Sequence, residues 1–550
     1  MMNRYSQIGW WVKADTPPEA VRDALVKSVH RVSSPVYLTK INGDVGVAHT
    51  GSIFIGIAPA PEEALPDPDR YPLIAFVPPL HPSHLGDSRF LERYGLRFPY
   101  IAGAMANGIT SVEMVEKMGL AGMLGFFGAA GLPIPEIRSA IVQIKNRLPH
   151  APFGFNLIHS PHDPRLELET VQLYLDQNVR LVSASAYMDL TLPLVYYRVK
   201  GLHRDESGKV TVPNKIIAKV SREEVAKKFL SPPPAKLLKQ LLAQKMITET
   251  EAAISESIPM AGALTAEADS GGHTDNRPAI SLLPAMTALR NRLAAQFHYR
   301  HPPCVGLGGG IATPESAAAA FAMGAGYILT GTVNQACIES GTSDTVRHML
   351  ADAAQADVTM APAADMFELG IKVQVLKRGT MFPLRAAKLY DLYTQYHSFA
   401  DIPEKQQSIL ERDFFRKRYH EEWDQTRRFF LARDPVQVER AEKDPRHQMA
   451  LVFRSYLGQS STWANTGEPS RKIDYQIWCG PSIGAFNAWV KGSFLEKPQN
   501  RKAVNVALNL LLGASVITRF RWLQVQGIEI PIDAAHFYPL PTDEIHTLLN

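Results

Sequence analysis

From Phe98 to about residue 355, short apolar runs alternate with stretches whose apolar positions recur every three to four residues. The runs Tyr100–Ala102, Ala121–Leu124, Phe153–Asn156, Leu181–Ala184, Ile216–Val220, Leu264–Ala268, Cys304–Leu307 and Tyr327–Thr330 predict strands. Most are followed by a helical pattern, among them Ser111–Met118, Ile134–Asn146, Glu167–Gln177, Ala279–Ala295 and Thr313–Met323. Strand–helix alternation indicates an α/β fold with a parallel sheet, and eight such units favour a closed (β/α)8 barrel. The unit between Val220 and Leu264 is long and predicts a helical insertion over about 222–262. Before the barrel, residues 1–95 read as a small α+β region. It has an amphipathic piece at Pro18–Val32 and strand-like runs at Pro35–Thr39, Val45–Ala48 and Ile53–Ala58. A connector rich in proline follows, through Pro59, Pro61, Pro66, Pro68 and Pro72. After about residue 355 the strand signal fades, so the expected domains are 1–95, a barrel over 96–375, and a mostly helical substrate or lid domain over 376–550.

Composition narrows the function classes. Lysine plus arginine is 58 against 54 for aspartate plus glutamate, a balance too even for a nucleic-acid binder. Cys304, Cys337 and Cys479 are far apart and form no CxxC pair, which argues against a disulfide framework or zinc and for a reducing cytoplasm. No clustered metal-ligand set is evident, and Met1–Thr16 lacks the apolar run of a signal peptide. Val504–Ile517 is shorter than the ~18–20 residues of a membrane span and predicts a buried helix, not a membrane segment.

In a barrel, chemistry sits where strands end and βα loops begin. The first edge, Ala102-Gly103-Ala104-Met105, is small enough for a flat ring to approach the backbone, or is a tight turn. At the third, Asn156 offers donor and acceptor to a flavin pyrimidine, or caps a turn. At the fifth, Lys219 either enters the mouth to meet negative charge or snorkels to solvent. The sixth reads Asp269-Ser270-Gly271-Gly272-His273; paired glycines expose amides to a phosphate, and a histidine beside them can give a proton or polarise a carbonyl near neutral pH. The seventh, Gly308-Gly309-Gly310, runs into an N-cap at Thr313 with Pro314 behind it, and the eighth is Gly331-Thr332. Loops after strands seven and eight are the recurrent phosphate site of this fold. Without a strand–GxGxxG–acid pattern for adenine dinucleotides, a flat phosphorylated cofactor in the barrel mouth is best met by FMN.

These motifs resemble the nitronate monooxygenase and FMN-dependent enoyl reductase class. Longer stretches, Phe153–Pro161, Glu267–Pro278, Asp357–Leu376 and Asp474–Asn487, resemble PfaD-type trans-acting enoyl reductases of polyunsaturated fatty acid and trans-acyltransferase polyketide synthases. The resemblance implies hydride transfer from NADPH through FMN to the β-carbon of an enoyl thioester on an acyl carrier protein. It implies that Ala102, Gly103, Ala104, Met105 and Asn156 line the ring and Lys219 faces its N1/O2 side. It places the phosphate on Gly271, Gly272, Gly308, Gly309, Gly310, Gly331 and Thr332, with Asp269 and Ser270 beside the cofactor and His273 catalytic. The wider class carries Glu-Ala where this chain has Asp269-Ser270. An acidic carrier would meet Lys377, Arg378, Arg385 and Lys388; Arg412, Arg416, Lys417 and Arg418 form either a second such cluster or a solvated helix face. Tyr390, Tyr393 and Tyr396 read as core packing before acyl channel. A nitronate monooxygenase and a non-catalytic scaffold are the alternatives, and a homodimer is compatible with the sequence.

Overall fold

A computed structural model describes residues 6–14, 17–19, 22–41, 44–56, 70–159 and 164–549. The N-terminal region is an antiparallel sheet of β1 (Gly9–Val12), β2 (Val36–Ile41), β3 (Asp44–Ala48), β4 (Ser52–Ile55) and β5 (Arg70–Val77), ordered β3-β2-β5-β1-β4. Of the expected proline connector, Pro59, Pro61, Pro66 and Pro68 lie outside the described residues, but Pro72 sits within β5, opposite Trp10.

Next come β6 (Tyr100–Ala102), β7 (Leu124–Phe127), β8 (Gly154–Ile158) and β9 (Leu181–Ser185). A hairpin of β10 (His203–Arg204) and β11 (Val210–Thr211) precedes β12 (Lys215–Val220), β13 (Ala263–Glu267), the short β14 (Gly272–His273), β15 (Cys304–Gly308) and β16 (Ile328–Thr330). β6–β9, β12, β13, β15 and β16 close into the expected eight-stranded parallel barrel. β7 begins three residues later than Ala121, because Ala121-Gly122 ends the preceding helix, with Gly122 at φ +75°. Helices Glu223–Leu230, Ala235–Ala243 and Glu249–Ser255 fill the insertion.

The strand signal does not end at the barrel. β17 (Val358–Pro362) and β18 (Lys372–Leu376) form a hairpin, and β14 adds to it antiparallel, pairing Gly272 with Gln374 and His273 with Val373. The hairpin of this three-stranded sheet lies where the sequence shows the strand signal fading, after about residue 355. Helices dominate from Phe382 on and build a second core around Phe367, Phe382, Leu389 and Phe453, onto which Tyr390, Tyr393 and Tyr396 pack. The helix Ala503–Val525 is long and apolar enough to cross a membrane, yet 89% of its most apolar window is buried in the protein. Arg519 donates to the carbonyls of Ser28 and Val32 in the N-terminal region, and Gly513 lies against Pro314, where a Cβ would come within 2.7 Å of the ring.

Candidate active site at the barrel mouth

Strand alternation decides which side chains enter the barrel. Ile217 and Ala263 belong to the interior cluster with Ile101, Phe126, Tyr327 and Leu329, so Lys219 on β12 and Thr265 and Glu267 on β13 share their inward face. The Thr265 hydroxyl meets the Tyr327 hydroxyl inside at 2.8 Å. A Cβ on Gly154 would strike Phe126, so Gly154, and Asn156 two residues on, face inward as well. Asn156 Oδ1 accepts from the Ala130 amide at 3.1 Å, as in the turn-capping reading, and Nδ2 bonds to no protein group among the described residues. Ala102 does not reach the mouth. It is fully buried in the core between barrel and helices, because its neighbour Ile101 takes the inward position. Gly103, Ala104 and Met105 continue the edge, with the Met105 amide donating to Thr110 Oγ1 at 2.9 Å.

On the β15–β16 side the site is made of backbone. The amides of Gly309, Gly310, Ile311, Gly331 and Thr332 donate to no protein group among the described residues, and register places the two loops side by side, Gly308 against Leu329. A Cβ at Gly310 or Gly331 would meet nothing within 4 Å, so both border open space. Gly309, at φ +89°, is pressed on the Ala268 carbonyl carbon, 2.7 Å from where its Cβ would stand. Such a ring of unpaired N–H groups suits a phosphate. The post-barrel chain closes it from above: the Gly480 amide donates to Thr332 Oγ1 at 3.2 Å, and a Cβ on Gly271 would lie 2.7 Å from Cys479 Cα.

On the β12–β13 side the site is made of charged side chains. Lys219 Nζ donates to Glu267 Oε1, with the two side chains 26% and 14% exposed. His273 Nε2 lies 3.1 Å from Asp365 Oδ1, on the turn between β17 and β18. Burial works to lower the His273 pKa, but the hydrogen bond and charge of Asp365 outweigh it and leave the pKa raised. Asp365 is likewise held below the usual carboxylate range, with His273 and Arg454 outweighing burial. The loop around His273 is braced at both ends. Asp269 Oδ1 accepts from Asn276 and Gln374 at 2.8 and 2.9 Å, so this acceptor holds the loop rather than facing a ligand. Ser270 Oγ donates to Glu267 at 3.3 Å, and its carbonyl accepts from Gln374 at 2.9 Å. At the far end Arg222 grips Asp275 through two hydrogen bonds of 2.9 Å, lowering that carboxyl to about 2.

Glu267, Asp365 and Gln374 are the site residues that sequence reasoning passes over. Alternation along β13 could have found Glu267; nothing local marks the other two.

Of the expected carrier contacts, Lys377, Arg378 and Lys388 are exposed, with Arg378 paired at 3.3 Å to Asp357. Arg385 is not free for a partner: it turns inward to the fully buried Asp474, which also takes Arg471 at 3.2 Å and the Tyr456 hydroxyl at 2.7 Å. In the second cluster Arg412, Lys417 and Arg418 are paired to Asp413, Glu422 and Glu411, and Arg416 stands 3.7 Å from Asp474. All four therefore lie against carboxylates of this chain, two of them buried, Glu422 and Asp474.

Comparison with known proteins agrees with the fold. Residues 396–475 match the family described as acyl-carrier-protein S-malonyltransferase, inserted helical domain. A polyunsaturated fatty acid synthase polypeptide of Thraustochytrium is 45% identical over 479 residues, covering 85% of this chain and 32% of the relative. Polyketide biosynthesis protein PksE of Bacillus subtilis is 44% identical over 438 residues, covering 80% of this chain and 57% of the relative. The chain thus spans a third to just over half of these relatives. The crystal structure of the enoyl reductase domain of MlnA, from the macrolactin biosynthesis cluster of Bacillus amyloliquefaciens, superposes with a TM-score of 0.76 at 41% identity, over 80% of this chain and 99% of that domain. Barrel, mouth and likeness together place the chain in the enoyl reductase family to which the MlnA domain belongs.

Proposed function

We propose that the chain is a trans-acting enoyl reductase, using FMN and NADPH to reduce enoyl thioesters presented on acyl carrier protein in polyketide or polyunsaturated fatty acid assembly. The observation that carries this reading is a cradle of five unpaired amides facing inward-pointing Lys219 and Asn156 across one barrel mouth. The donor set fits FMN: backbone N–H groups for the phosphate, an amide NH2 and an ammonium for the acceptors of the pyrimidine edge. When bound, FMN would supply the hydride that reaches the β-carbon.

The chain's own groups do the rest. Gly309–Ile311 and Gly331–Thr332 anchor the phosphate. Lys219 offsets negative charge at the ring. His273, whose protonated form Asp365 favours, donates a hydrogen bond to the thioester oxygen or a proton toward the α-carbon. The exposed Lys377, Arg378 and Lys388 flank the exposed apolar Met381 and Leu384 in the chain, with Leu384 and Lys388 one turn apart on the helix Phe382–Gln395, a combination suited to an acidic carrier helix.

The test is the visible spectrum of purified protein, followed anaerobically. Flavin bands that bleach with NADPH and return with an enoyl thioester support the proposal. Bands that return only with oxygen or a nitronate, or the absence of flavin, overturn it.

A further inference from the structure

Glu267 is the group at the mouth that the proposed chemistry leaves without a task. It faces inward, one of its oxygens is taken by Lys219 and Ser270, and the other makes no bond among the described residues. Both members of the pair are mostly shielded from water, so neither charge is screened as it would be at the surface. A carboxylate at this place is adverse to an anionic cofactor. A lysine alone would complete the pocket.

We infer that Glu267 sets the reduction potential of the bound cofactor through Lys219. This rests on the proposed function, which puts Lys219 against the ring. A bare ammonium there would favour the reduced, negatively charged form strongly and make it a reluctant hydride donor. The carboxylate turns that cation into one end of a dipole, so the ring feels a weaker positive field and the reduced form gives up hydride more readily. Ser270, hydrogen-bonded to Glu267 at 3.3 Å, ties the pair to the loop that carries His273. Glu267 is a positioning residue; it needs no contact with the thioester.

The experiment measures the midpoint potential of the purified flavoprotein against a reference dye, with flavin content read from the same spectra. Glu267→Gln should make reduction about tenfold more favourable, an upward shift of ~30 mV for a two-electron couple. Lys219→Met should shift it downward. With Lys219→Met as background, Glu267→Gln should move the potential by less than half as much. An unchanged potential in Glu267→Gln, or an equal shift without Lys219, overturns the inference. Should Glu267→Gln fail to hold flavin, Glu267→Asp, which keeps the charge but withdraws it by one methylene, should give a smaller upward shift, and no shift there overturns it equally. Wild-type protein without flavin sinks the proposed function itself. Wild-type flavin with no response to Lys219→Met leaves that function standing and removes Glu267 from it.

Discussion

The two sides of the barrel mouth solve different problems with different parts of the chain. The β15–β16 side offers only main-chain amides, and its glycines serve by lacking a side chain. The β12–β13 side offers Lys219, Glu267, His273 and Asp365, a paired set of charges. Backbone donors cannot titrate, so the first side offers the same donors at any pH. The second can change its charge with the reaction. On the proposed function, anchoring and reactivity are thereby separable, and substitutions should show it.

The largest effect belongs to the anchoring side. Gly331→Asp puts a carboxylate into open space beside the cradle, at a negative φ of −122°. The purified variant should lose FMN entirely, while its apo form still unfolds cooperatively in thermal melts. Gly309→Ala sharpens the point. Its positive φ and its contact with Ala268 should cost ~1–3 kcal/mol of folding stability as well as flavin. If both variants retained flavin equally well, the phosphate would lie elsewhere.

On the reactive side, His273→Ala should lower turnover by ~10²–10⁴-fold with flavin content kept. A parallel loss of flavin would merge the two sides into one. Asp365→Asn is milder. His273 has a raised pKa, so the protonated form is lost only as pH rises through that value; without the Asp365 charge the loss comes at lower pH. Turnover should therefore fall more at pH 8 than at pH 6, and an imidazole NMR titration should move the same way. The pair's contribution to stability is small, at most about 1 kcal/mol, because both side chains are roughly half exposed. The His273 part is present below its unfolded pKa and fades as pH rises through the raised folded value. The Asp365 part is present above the unfolded carboxylate pKa and fades as pH falls through the lowered one. Smallest is Lys377→Glu with Lys388→Glu: KM for a carrier-bound substrate should rise several-fold while a short pantetheine thioester is turned over unchanged.

What is legible in the sequence follows from the range over which each feature is encoded. Barrel strands announce themselves locally as apolar runs, and the glycine loops as short motifs. β17 and β18 escape notice because five-residue strands separated by nine residues, one ending in proline, carry little local signal. Arg385 reads as a surface cation because its carboxylate, Asp474, is 89 residues away. Lys219 needs Glu267, 48 residues on, and only counting alternate positions along both strands joins them. Asp365 reaches His273 across 92 residues, through a pairing of β14 with β18 that no pattern foretells.

That pairing has a consequence for anyone cutting or grafting the chain. β14 is two residues long and, among the described residues, has no sheet partner other than β18. A fragment ending after the last barrel helix, at Ala351, would keep both glycine loops and all eight staves, yet leave the loop that carries His273 unstitched. The smallest transplantable unit is therefore not the barrel: the seam that holds His273 is sewn with thread from beyond it.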